Sequence, residues 1–162
     1  MIKYEQPPAI IGHINEGISP ESRVIQDLLQ SAREHASKPV TLGWQTVLKD
    51  QVQEVSSRCS EEGWDGYDAN PISRSSRFWT LRLIDQLPGN IQEPSIVPEP
   101  DGELALEWNL GKDKIFSLTV SGQKLIYAGI IGANRRFYGD EKFINELPKT
   151  IANTLSNYFL KI

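Results

Sequence analysis

A chain of 162 residues, 39% apolar and 23% charged, has the length of one ordinary domain, able to take roughly 70% of its unfolded surface out of water. Its formal charge of −4 and pI near 5.2 weigh against non-specific nucleic-acid binding, because an acidic body repels phosphate backbones. A single cysteine, Cys59, and two histidines, His13 and His35, exclude an internal disulfide and leave no sulfur or imidazole cluster for zinc, so no metal and no cofactor is expected.

No apolar run approaches the ~20 residues that span a bilayer, and MIKYEQPPAIIGHINEG lacks the basic start and continuous apolar stretch of a signal peptide. A cytoplasmic protein without membrane contact is the expectation. Residues 1–18 show no sustained period, and Pro7 and Pro8 impose extended backbone, which predicts an N-terminal arm ahead of one domain over 19–162. A helix follows, with Ser19 as N-cap, Pro20 in the first helical position and a stripe of Val24, Ile25, Leu28, Leu29, Ala32 and Ala36 ending before Pro39.

A second helix is predicted from about Thr41, since Trp44, Leu48, Val52, Val55 and Cys59 share one face, and it ends at Gly63. After the loop EGWDGYDANPI, Ser73 caps a third helix carrying Phe78, Trp79, Leu81, Leu83, Ile84 and Leu87, stopped by Pro88 and Gly89. Its broad apolar face predicts contacts on two sides.

The period then changes to two. In ELALEWNL, Leu104, Leu106, Trp108 and Leu110 alternate with Glu103, Ala105, Glu107 and Asn109, the pattern of a half-buried strand. IFSLTV (115–120) and KLIYAGII (124–131) follow after short turns, and a shorter strand at 95–97 precedes them. From Asp140 the pattern is helical again, with Phe143, Leu147, Ile151, Leu155 and Tyr158 on one face and a kink expected at Pro148. The fold class is α+β: N-terminal helices, an antiparallel meander of three or four strands, and a C-terminal helix packed on one sheet face.

Two loops and four arginines are the candidate sites. In EGWDGYDANPI, Asp65, Asp68 and Asn70 offer oxygen ligands, but their spacing and Ser76 at the twelfth position do not match a calcium-binding EF-hand loop. Each residue also has a task in turning a corner: Gly63 ends a helix, Trp64 plugs the core, Gly66 supplies positive φ, Asp65 or Asp68 bonds local amides and Pro71 forbids helix at Asn70. Beside that stands a recognition surface of Trp64, Asp65, Tyr67 and Asp68. In PEPDGELALEW, Glu99, Asp101, Glu103 and Glu107 are carboxylates suited to acid–base work or magnesium, or simply a ProAspGly turn and the wet face of a strand. Arg74 and Arg77 sit in a first helical turn, where the helix dipole disfavours cations, and Arg135 and Arg136 lie in GANRRFYG. They form either an anion clamp or a set of unrelated surface charges.

The residues Trp64, Asp65, Gly66, Ala69, Pro71 and Ile72 (WDGxxAxPI), followed by Pro98, Pro100, Asp101, Gly102, Leu106, Glu107 and Trp108 (PxPDGxxxLEW), resemble a group of small uncharacterised bacterial proteins. The resemblance covers roughly residues 60 to 130 and implies a bacterial origin and a coupling between the two loops. It brings no activity with it.

GxSxG, GxxxxGK[ST] and GxGxxG are all missing, and Cys59 lies on an apolar helix face, so no conventional catalytic constellation is visible. The expectation is a non-enzymatic module that binds another protein, with an antitoxin- or immunity-like accessory role as one form of it. Its binding residues are expected among Trp64, Asp65, Tyr67, Asp68, Asp101 and Glu107, with Arg74, Arg77, Arg135 and Arg136. The alternative is an enzyme or phosphate-ligand binder in which the carboxylates of both loops meet the arginines in one cleft. A third reading, sugar binding on Trp64, Tyr67 and Trp108, requires all three rings to be exposed.

Overall fold

The structure is a computed structural model that describes residues 43–161; the predicted arm and first helix lie outside the described residues. Helix α1 (Trp44–Arg58) forms where Leu48, Val52 and Val55 fall on one stripe, and all three are buried. Cys59, buried on the same side, closes it with its N–H on the Val55 carbonyl. Helix α2 (Arg74–Gln86) opens on Ser73, whose hydroxyl accepts from the Ser76 N–H as an N-cap should. It touches both α1 and the sheet, which accounts for its broad apolar face, and a Lys49–Asp85 ion pair adds a tie to α1. Phe78 is the exception on that face: it is half exposed, edge-on to Trp79, with the Arg82 guanidinium over both rings. No described helix is long and apolar enough to cross a membrane.

Five strands pair antiparallel in chain order: β1 (Ser95–Pro98), β2 (Leu104–Asn109), β3 (Lys114–Ser121), β4 (Lys124–Ile131) and β5 (Arg135–Lys142). The connections are too short for a crossover, so each strand can only fold back on the one before it. Leu106 faces Leu118 and Trp108 faces Phe116, so the predicted inward set of β2 meets the inward set of β3, all fully buried. Leu110, predicted to join that set, lies past the end of β2 and is exposed.

The fifth strand corrects the predicted helix from Asp140. Charged residues occupy Arg135, Arg136, Asp140 and Lys142, and glycine stands at one inward position, so the alternation that marks a half-buried strand is masked. The missing apolar area is supplied crosswise. Phe137 faces Gly129 and Tyr127 faces Gly139, each ring lying where the glycine has no β-carbon. Helix α3 (Lys149–Tyr158) then begins directly after Pro148, which takes the N-cap, where its missing N–H costs nothing. The expected kink therefore becomes the helix start.

The helices α1, α2 and α3 all deliver their buried residues to one face of the sheet. At its centre Trp108, Phe116 and Phe159 lie with ring centroids 5.7–6.3 Å apart. Each such ring removes roughly 150–250 Å² from water, on the order of 4–6 kcal/mol. Phe159 is held there by a short clasp: Ile91 bridges to Leu160, the Gln92 N–H donates to the Phe159 carbonyl at 2.6 Å, and Lys161 pairs with Glu93.

Candidate functional site

The two motif loops pack against each other at one end of the sheet. The Asn70 N–H donates to the Pro100 carbonyl and the Ser73 N–H to the Gly102 carbonyl, both at 2.8 Å. Gly102, at φ +88°, sits against the Pro71 carbonyl, so close that any β-carbon there would stand 2.7 Å from that oxygen. This contact demands glycine at 102 and gives the expected coupling of the loops a physical form.

Within the WDG loop most polar groups are occupied. The Trp64 indole is partly buried and donates to the Asn70 carbonyl at 2.8 Å, while Asp65 Oδ1 accepts from the Tyr67 and Ala69 N–H groups at 2.9 and 3.3 Å. Ala69 is buried beneath them, the Gly63 N–H bonds the Ala69 carbonyl, and the Ile72 N–H returns to the Cys59 carbonyl. Trp64 and Asp65 are thus fastened into the corner. Tyr67 and Asp68 are not: Tyr67 is 85% exposed and Asp68 is exposed beside it. The loop is a braced knuckle with a tyrosine at its tip.

In the PDG loop Asp101 Oδ1 accepts from the Glu103 N–H, making the turn, and the remaining carboxylates line the strand face opposite the helices. Glu103 lies across from Glu99 there, with Glu107 four residues further on, in β2. Burial first, then the neighbouring charges of Asp101 and Glu107, raise the Glu99 carboxyl above its ordinary value of 4.5. Ser121 Oγ donates to Glu103 at 3.3 Å. Among the described residues no group of three or more His, Cys, Asp or Glu side chains is placed to hold a metal ion. Burial pushes the Cys59 thiol upward, against the weaker pull of Arg58.

The arginines are dispersed. Arg74 and Arg77 lie in the first turn of α2 beside the loops, and among the described residues neither comes within ion-pair range of a carboxylate. Arg135 and Arg136 start β5, at the opposite end of the sheet and three strands away from β2, more than about 20 Å from the loops at ~3.4 Å per residue. They also point to opposite faces. The carboxylates and these two arginines do not share a cleft. The sugar platform fails on burial: Trp108 is 1% exposed and donates its indole N–H to the Gln92 carbonyl inside the core.

A further cleft, of about 210 Å³, which no sequence motif marks, lies between α3 and the ends of β4 and β5. Tyr127 and Phe137 lie in it, Thr150, Thr154 and Tyr158 line it from α3, and Arg135 donates to the Tyr158 hydroxyl at 2.7 Å. The hydroxyls at 150, 154 and 158 recur every four residues, a stripe that helical spacing alone reveals once the helix is placed correctly. No family model, no curated protein and no solved structure matches the chain.

Proposed function

We propose that this chain is a protein-interaction module whose binding surface is the knuckle formed by the two motif loops, presenting Tyr67 amid carboxylates to a basic partner. The observation that carries this reading is Tyr67 itself, 85% exposed on backbone that is braced from both sides. A large ring held out on a rigid loop contributes contact area at small entropic cost, and tyrosine is among the residues that dominate binding interfaces. Glu61, Glu62, Asp65, Asp68 and Asp101 are exposed carboxylates of the two loops, so a basic partner would be steered in and a like-charged one repelled. An accessory role in a bacterial cell, antitoxin- or immunity-like, suits an acidic partner of a basic protein.

The test is recovery of the tagged chain from its host with Tyr67→Ala and Asp68→Lys alongside. Wild type should bring down a stoichiometric basic protein, and each substitution should weaken that binding by about 1–2 kcal/mol, roughly five- to thirtyfold. Equal recovery by all three would remove the knuckle from the interface. Asp65→Ala is the wrong probe, because it releases two backbone N–H groups and collapses the loop.

A further inference from the structure

The sheet has one edge that is prepared for company. β1 is four residues long, ends on Pro98, follows Pro94 and packs against α1, all devices that blunt an edge. β5 has eight residues and no proline, and among the described residues no strand pairs with its outer side.

Which backbone groups face outward follows from the ladder. The Phe143 N–H donates to the Gln123 carbonyl, and opposed residues of an antiparallel pair alternate between bonded and unbonded. Odd-numbered residues of β5 therefore bond β4, while Arg136, Tyr138, Asp140 and Lys142 turn their N–H and C=O groups outward. An added antiparallel strand must pair with those four.

A second copy of β5, related by a two-fold axis through Tyr138, meets that requirement. Tyr138, 87% exposed, then faces its own counterpart, and Arg136 faces Asp140 of the other copy in both directions. Arg135 faces Glu141 on the helix side, and Phe137 faces Gly139, repeating the ring-over-glycine pairing already present between β4 and β5. Neighbouring registers of the same parity lose this match. Centring on Gly139 sets Arg136 against Lys142, and centring on Phe137 leaves both acidic residues outside the paired strand. We infer that β5 is a homodimer interface in which two sheets join edge to edge about Tyr138, sealed by reciprocal Arg136–Asp140 and Arg135–Glu141 pairs.

Sedimentation velocity on the full chain, from micromolar to near-millimolar concentration, tests this. Wild type should show a reversible monomer–dimer equilibrium that weakens with added salt. Arg136→Asp and Asp140→Arg should each weaken dimerisation about tenfold or more by opposing like charges, and the double exchange Arg136→Asp/Asp140→Arg should restore it. All these side chains are exposed, and circular dichroism checks that each variant is folded. As a geometric readout, Tyr138→Cys should oxidise to a covalent dimer, because a bonded antiparallel pair sets its Cα atoms ~5.5 Å apart, within disulfide reach. Cys59 is buried and does not compete. A wild type that stays monomeric throughout overturns the inference. So does a dimer that survives both single reversals, or one that persists while Tyr138→Cys fails to cross-link. Tyr67→Ala should leave the dimer unchanged, which separates this surface from the knuckle.

Discussion

Gly66 and Gly102 both hold positive φ, near +87° and +88°, yet what a β-carbon would meet separates them. Around Gly66 there is nothing within 4 Å, so Gly66→Ala should cost only backbone strain, about 1 kcal/mol. At Gly102 the new atom meets the Pro71 carbonyl oxygen, and the bonds that join the loops must shift with it. Gly102→Ala should cost about 3 kcal/mol or more by urea denaturation, and equal losses at both sites would mean the loops do not lean on one another. Glu99 gives a second test at this scale. Its folded-state carboxyl is raised by burial and by Asp101 and Glu107, so the stability it contributes is fully present below about pH 4.5 and is lost as pH rises through the folded value. Glu99→Gln should therefore be more stable than wild type at pH 7, with the difference shrinking toward zero near pH 4. A gap that is constant with pH would assign the effect to packing instead.

Between helix and sheet the main polar tie is Ser76, fully buried on α2. Its hydroxyl donates to the Val120 carbonyl at 2.9 Å and accepts from the Leu104 N–H at 2.8 Å, stitching the helix to β2 and β3 at once. Ser76→Ala strands two backbone groups in the core and should cost about 1–3 kcal/mol in chemical denaturation; a change within a few tenths would show that water replaces the hydroxyl. Nothing in the spacing of apolar residues announces Ser76, because period finds stripes, and a serine on a buried stripe reads as a gap. The same limit explains β5, where part of the apolar surface is lent by Tyr127 of β4, lying over Gly139. Where area and period coincide, as in α1, α2 and β2 to β4, the elements were legible. Pro148 was legible as a break but not as a beginning, since only the strand before it shows there was no helix to kink. In the loops, the corner chemistry of Trp64 and Asp65 was readable residue by residue, whereas Gly63, expected to end α1, lies past its end at Arg58 and instead donates its N–H to the Ala69 carbonyl within the corner. That Tyr67 would be left over was not readable, because exposure depends on which neighbours the fold supplies.

Across the described residues, one layer of helices covers one face of a sheet whose strands are neighbours in space in the order they are neighbours in sequence. The two proposed surfaces occupy different parts of that sheet: the carboxylates and the knuckle lie at one end, and β5 on the far edge. In the proposed dimer each assembly would carry two knuckles, so a partner with two matching sites would gain by avidity without any new contact. The meander order has a consequence in time as well as in space. Each strand finds its pairing partner among residues synthesised just before it, and short loops keep the entropy of every closure small. The clasp is different: Glu93 and Lys161 are 68 residues apart. A chain emerging from its N-terminal side can pair all five strands before Phe159 exists, and the Trp108 and Phe116 rings are the part of the core that waits longest for cover.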